Sequence, residues 1–300
     1  MDRIVMRAPA KINLSLDVTG RRDNGYHDVR MVMQQIGLSD EIIIEKTENG
    51  VFEQGTGKKS RIIVETNSMT LPVNEDNLVF KAAGLIMEEC GIGTGIHIFI
   101  DKKIPIAAGM AGGSTDAAAV LKGMNRVFDC GLTDERLREL GVRIGADIPF
   151  CIMGGTALAE GIGEMLTPLP AMPGCTVLIA KPGISVSTGY VYNEYDGLKN
   201  KEHPDVDGMT VAIHEKDILK ISKLLGNSLE GVTQEKYPAI RRIKEIMLGN
   251  DAMGALMSGS GPTVFGLYDD NIKADKTAEM IKAEGIAEEV FITEPYNVSE

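Results

Sequence analysis

Apolar and polar positions follow strand and helix periods in turn along the chain. Ile12, Leu14, Leu16 and Val18 alternate with Asn13, Ser15 and Asp17, which predicts a half-buried strand. "EIIIE" (41–45), "RIIVE" (61–65) and "IHIFI" (96–100) are further strands, and Leu78, Ala82, Leu85 and Ile86 mark a helix between them. In "KIPIAAGMAGGSTDAAAVLKGMN" (103–125) a Gly- and Ala-rich stretch runs straight into a helical stripe. Ala117, Val120, Leu121, Met124, Val127 and Phe128 recur at the spacing of a half-buried helix. Ser114 or Thr115 can cap its first turn, and Asp116 suits the positive end of its dipole. The second half repeats the mixture: "TVLIA" from Thr176, a helix about Ile240, Ile243 and Met247, then "TVFGLY" from Thr263 and "EVFIT" from Glu289. "TPLPAMPG" (167–174) is the best linker, and the pattern reads as α+β in two lobes that part between about 155 and 175.

Composition narrows the class. The 300 residues suffice for one large domain or two ordinary ones, and 43% hydrophobic with 25% charged residues is that of a globular protein. No apolar run approaches the roughly 20 residues that span a bilayer, and the first residues carry no apolar core of a secretory signal. Cys90, Cys130, Cys151 and Cys175 form no C-x-x-C pair and read as reduced, mostly buried cytoplasmic thiols. A net charge of −12 argues against nucleic acid as partner, though a few local cations suffice for a small phosphorylated ligand.

A small-residue loop entering a helix N-terminus is an anion site, because free N–H groups point outward there. The loop nevertheless lacks the lysine of G-x-x-x-x-G-K-[ST] and does not fit G-x-G-x-x-G. Lys11 shares parity with Asn13, so both point away from the Ile12/Leu14 face; a lysine there is either solvated or functional. "TGRRDNGYHDV" (19–29) gathers Arg21, Arg22, Tyr26 and His27 at a DNG turn, which reads equally as a hairpin with a polar tip. In "IGADIPF" (144–150) Asp147 can cap a short helix, hold a substrate hydroxyl, or do both. "SGSGPTVF" (258–265) is a second glycine-rich turn; two such loops either approach one polyphosphate from both sides or are plain linkers.

Taken in order, "PAKINLSLDVTGRRDNGYHDV", "IPIAAGMAGGSTDAAAVL", "GADIPFCIMGGTALAEGIGE" and "SGSGPTVF" resemble the motifs of the GHMP kinase superfamily. With "PGISVSTGYVY" (182–192) they resemble its 4-diphosphocytidyl-2-C-methyl-D-erythritol kinase branch, of isoprenoid precursor synthesis, from Arg7 to about Leu267. The resemblance implies a two-lobed fold: a ribosomal-S5-like N-terminal domain (1–160) and a ferredoxin-like α/β sandwich (161–300), with the site between them. It implies a cytoplasmic, ATP-dependent kinase acting on the 2-hydroxyl of a small cytidyl-diphosphate alcohol. The competing readings are a superfamily kinase for homoserine, mevalonate or a sugar, and a nucleotide-binding relative without turnover.

By the same resemblance Pro105, Ile106, Ala107, Ala108, Gly109, Met110, Ala111, Gly112, Gly113, Ser114 and Thr115 wrap the ATP phosphates. The missing positive charge then comes from the helix dipole and from Mg²⁺ travelling with ATP. Lys11 and Asp147 are implied as the catalytic pair, and Asn77 and Lys102 as lining the adenine pocket. Asn13, Tyr26, His27 and Thr188 fall on the substrate side, and Tyr192 is implied as a ring against cytosine. The loop departs from relatives in having alanine for some glycines and Thr115 for a second serine, which keeps it small and hydroxyl-bearing. Asp101 and Asp116 have no obvious ligand spacing, so no protein ligand to the metal is named.

Overall fold

The computed structural model describes residues 1–47, 52, 53 and 59–297. The chain begins with β1 (Arg3–Arg21), β2 (His27–Thr47), β3 (Phe52–Glu53), β4 (Lys59–Ser60), β5 (Ile62–Thr66), α1 (Leu78–Glu89) and β6 (Gly95–Asp101). It continues through α2 (Gly112–Val127), α3 (Asp134–Val142), α4 (Ile148–Met153), β7 (Thr156–Glu160), β8 (Met165–Leu169), β9 (Thr176–Lys181) and α5 (Thr188–Asp196). Next come α6 (Val206–Glu215), α7 (Ile218–Lys223), β10 (Gly226–Asn227), α8 (Glu230–Lys236) and α9 (Pro238–Gly249). The last are β11 (Gly254–Met257), β12 (Val264–Tyr268), α10 (Asn271–Glu284) and β13 (Glu289–Thr293). Strands and helices mix in both halves, as the α+β pattern predicts.

Two compact units divide the chain, and both are discontinuous in sequence. The first takes Met1–Ala10, Ser39–Ile106 and Ala111–Met153; the second takes Lys11–Leu38, Ala107–Met110 and Gly154–Glu300. β1 and β2 are each long enough to contribute to both units.

In the first unit β6 pairs antiparallel with the end of β2 (Ile42↔Ile100) and parallel with β5 (Ile62↔Ile96). Helices α1 and α2 pack on each other, and α2 packs on α3 and α4. The stripe Ala117, Val120, Leu121, Met124 and Val127 is buried as its spacing predicts. In the second unit β7 lies antiparallel to the start of β2 (Met31↔Ala159), β8 on β7, and β10 parallel to β1 (Ser15↔Gly226). A separate antiparallel sheet has the order β11-β12-β9-β13, with α9 and α10 packed on it. Numbered in chain order that is 2-3-1-4, the ferredoxin-like arrangement.

Three local expectations are corrected. β1 is buried on both faces over residues 8–16 rather than half-buried, so Lys11, Asn13 and Ser15 lie inside with Ile12 and Leu14. Residues 167–169 of the expected linker belong to β8, which leaves the loop after Leu169 as the connection. Of the four free cysteines only Cys151 is buried; the others are half-exposed.

Candidate active site

The loop reaches α2 through a backbone that is left-handed at Ala107 (φ 53°), Gly109 (72°) and Ala111 (55°). Ala111 is the N-cap residue, with no side-chain cap bond, so neither Ser114 nor Thr115 caps the helix. Both sit in the first turn, and Thr115 donates its N–H to the Ala111 carbonyl at 2.9 Å. An uncapped N-terminus keeps its first N–H groups for an outside acceptor.

Within the second unit a cation meets this loop. The Lys11 ammonium donates to Asn13 Oδ1 at 2.7 Å and to the Gly109 carbonyl at 3.1 Å, and the Lys11 N–H donates to the Met110 carbonyl at 3.2 Å. Ser258 Oγ donates to the same Gly109 carbonyl at 2.9 Å, so the second glycine-rich turn rests on the first loop. The fit is tight: a Cβ on Gly109 would collide with the Ser258 carbonyl, and one on Gly259 would stand 3.2 Å from the Gly109 oxygen. Asn227 holds the turn from below, donating to the carbonyls of Met257 and Gly259 at 2.8 Å. Ser260 Oγ lies 3.0 Å from Thr188 Oγ1, which brings the N-terminus of α5 to the turn.

The hairpin expected at 22–26 is present, with Gly25 at φ 86° and the Arg22 N–H donating to the Tyr26 carbonyl at 2.7 Å. Tyr26 is exposed there and His27 is buried. The His27 ring lies against Tyr192, centroids 4.7 Å apart, and its Nε2 is 2.8 Å from Asp196 Oδ1.

Within the first unit Lys102 does not project as an open pocket lysine. Its ammonium, on a side chain 5% exposed, bonds Asp40 Oδ2 at 2.5 Å and Asp116 Oδ2 at 2.8 Å. Asp40 Oδ1 also accepts the N–H groups of Lys103 and Ile104, which fastens the run into the loop. Asp116 therefore serves this buried cluster rather than the helix dipole. Its Oδ1 is buried without a partner, and its pKa is pushed up to about 8 by burial, with Asp40 adding and Lys102 opposing. Asn77 caps α1: its Oδ1 accepts from Val79 N–H at 2.8 Å and its Nδ2 donates to the Pro72 carbonyl at 2.6 Å. Leu78 Cδ1 lies 3.5 Å from where a Cβ of Gly113 would be, so Asn77 and the loop's end are neighbours. Asp147 stands just before α4, its carbonyl accepting from Cys151 N–H at 3.1 Å, as a residue opening a helix does. Among the described residues no group of three or more His, Cys, Asp or Glu is spaced for a metal ion, and no helix is long and apolar enough to cross a membrane.

Sequence reading missed Asp40, Ser258 as a partner of the loop, Asn227 and Asp196. Asp40 sits in the polar run Ser39, Asp40, Glu41 before Ile42–Ile44 and carries no local sign of burial.

The loop thus enters a helix without a side-chain cap, and Lys11 and the second glycine turn hold the Gly109 carbonyl of that loop. Residues 77–155 match the family model of the GHMP kinases N terminal domain and residues 209–287 that of the GHMP kinases C terminal domain, so the chain belongs to the GHMP kinases. A protein of Lachnospira eligens named 4-diphosphocytidyl-2-C-methyl-D-erythritol kinase is 49% identical over 296 residues, 99% of each chain. One of Lachnoclostridium phytofermentans with the same name is 48% identical over 98% of this chain and 97% of its own. A crystal structure of a 4-(cytidine 5'-diphospho)-2C-methyl-D-erythritol kinase superposes with a TM-score of 0.80 at 29% identity, over 98% of this chain and 100% of that one. Within the GHMP kinases, this chain falls in the 4-diphosphocytidyl-2-C-methyl-D-erythritol kinase branch.

Proposed function

We propose that the protein transfers the γ-phosphoryl group of ATP to the 2-hydroxyl of 4-diphosphocytidyl-2-C-methyl-D-erythritol, in the cytoplasm. The observation that carries this reading is the Lys11 ammonium, buried and bonded at 3.1 Å to the Gly109 carbonyl of the phosphate loop. A buried ammonium is stable only when hydrogen-bonded, so this one is held ready beside transferring phosphate. The loop's N–H groups and the open end of α2 receive the ATP phosphates. Mg²⁺ arriving with ATP supplies further neutralisation of phosphate charge. Asp147 orients the substrate hydroxyl and takes its proton, while Lys11 neutralises the oxygen on which charge develops. Thr188, Asn13, Tyr26, His27 and Tyr192 hold the cytidyl alcohol, and Asn77 and Lys102 support the adenine side through the segments they brace.

Kinases for homoserine or mevalonate share the fold, but those solved structures are no more than 20% identical, and such likeness carries fold alone. A coupled assay of ADP release with cytidyl, uridyl and non-nucleotide alcohols tests the reading. Turnover confined to the cytidyl alcohol is expected, and equal or better turnover of homoserine or mevalonate overturns it.

A further inference from the structure

Helix α5 carries Thr188, Tyr192 and Asp196 four residues apart, which puts all three on one face. Val191 and Tyr195 take the buried face. This stripe, half-buried at Tyr192 and Asp196, meets His27 twice: the rings of His27 and Tyr192 are in contact, and Asp196 Oδ1 is 2.8 Å from His27 Nε2. The other oxygen of Asp196 is 3.1 Å from Arg21 Nη1, which supplies a counter-charge from the end of β1. A carboxylate can only accept, so the hydrogen of a neutral His27 ring sits on Nε2 and its Nδ1 is left as an acceptor. Nδ1 takes part in no hydrogen bond among the described residues.

We propose that Asp196 is a positioning residue that sets base specificity: by holding the Nε2 hydrogen of His27 it presents Nδ1 as an acceptor for a base bearing an exocyclic amine. Cytosine carries such an amine where uracil carries a carbonyl oxygen, and a site that offers an acceptor there leaves two acceptors facing each other when uracil enters. Stacking on Tyr192 cannot make that distinction, because every pyrimidine has a π-face. The proposal rests on the reading above that His27 and Tyr192 take the base.

The test is Asp196→Ala, assayed at about pH 8.5, well above the range in which imidazole is protonated, against cytidyl- and uridyl-diphosphate forms of the same alcohol. The expected result is a fall of roughly five- to fiftyfold in kcat/KM for the cytidyl form, as for loss of one buried hydrogen bond. The fall should lie mainly in KM, with the uridyl form, the KM for ATP and the Tm little changed. A His27→Gln background supplies the second measurement: if Asp196 acts through His27, Asp196→Ala adds no further loss of cytidyl preference there. An unchanged cytidyl-to-uridyl ratio in Asp196→Ala, or equal losses for both alcohols with a lowered Tm, overturns the proposal while the substrate reading stands. Failure of the wild-type protein to turn over the cytidyl alcohol overturns the substrate reading and the proposal together.

Discussion

Lys11 and Asn13 were expected to share a strand face, and the 2.7 Å bond between their side chains shows that they do. Their burial was not legible, because period-two alternation cannot show that a second layer covers the polar side. The enclosed charge gives the first expected outcome. Lys11→Ala and Asp147→Asn should each lower turnover at least about a hundredfold with circular dichroism unchanged, as positioned charges and proton acceptors typically contribute that much. Steady-state kinetics checks it, and near wild-type turnover in either variant removes that residue from the chemistry. Asp116 gives a second outcome, of opposite kind. Its carboxyl stays protonated in the fold up to about pH 8, against 3.8 for the unperturbed group. Between those values the unfolded chain has released a proton that the native state keeps, so this group's stabilisation is complete below about pH 4 and is lost as pH rises to about 8. Asp116→Asn, which imitates the protonated form, should flatten that decline. Urea midpoints measured across the window report it.

At the scale of elements, the loop and α2 were recognisable as loop-then-helix, but the helix start was not. Ser114 and Thr115 looked like caps, while the chain turns at Ala111 in the left-handed region and enters the helix without one. The two loop glycines are small for different reasons. Gly112 has no positive φ; a side chain there would press on Lys102 Nζ at 3.0 Å and Ile104 Cγ2 at 3.2 Å. Gly109 combines φ 72° with direct contact to the Ser258 carbonyl. Both Gly112→Val and Gly109→Ala should therefore weaken binding of a non-hydrolysable ATP analogue and spare the cytidyl alcohol, with Gly109→Ala also lowering Tm. Calorimetric titration decides, and unchanged nucleotide affinity would reduce the loop to a turn. Helix α5 supplies the matching outcome on the substrate side. Tyr192 is half-buried, while Tyr195 is the core residue of that helix, so Tyr192→Ala should cost affinity more than stability. Its KM for the cytidyl alcohol should rise on the order of five- to a hundredfold, the worth of one aromatic–base stack, with the KM for ATP unchanged.

For the molecule as a whole, a charge of −12 must receive two anionic substrates, so local cations and backbone dipoles have to outweigh the overall field. Ligands that bind only the folded state report this through stability. At about a hundred times its dissociation constant, ATP with Mg²⁺ should add about 2.7 kcal/mol. Chelation by EDTA should remove most of that gain and leave the gain from the cytidyl alcohol intact. Thermal melts with each ligand, with and without EDTA, measure it; an ATP shift indifferent to EDTA would exclude a metal from nucleotide binding.

The sequence by itself determined the local elements and the order of the site motifs. Ile96–Ile100, the stripe of α2, the 22–26 turn and the two glycine-rich loops are all visible there, because strand period, helix period and turn chemistry act over a few residues. Only the tertiary structure decided which polar groups meet. Lys102 finds Asp40 across 62 residues, Ser258 finds Gly109 across 149, and His27 finds Asp196 across 169. No local pattern encodes such pairs, since each depends on strand pairing and helix packing bringing distant segments together. The long β1 is buried on both faces where alternation suggested one, so Lys11, Asn13 and Ser15 became interior groups whose partners had to come from other segments.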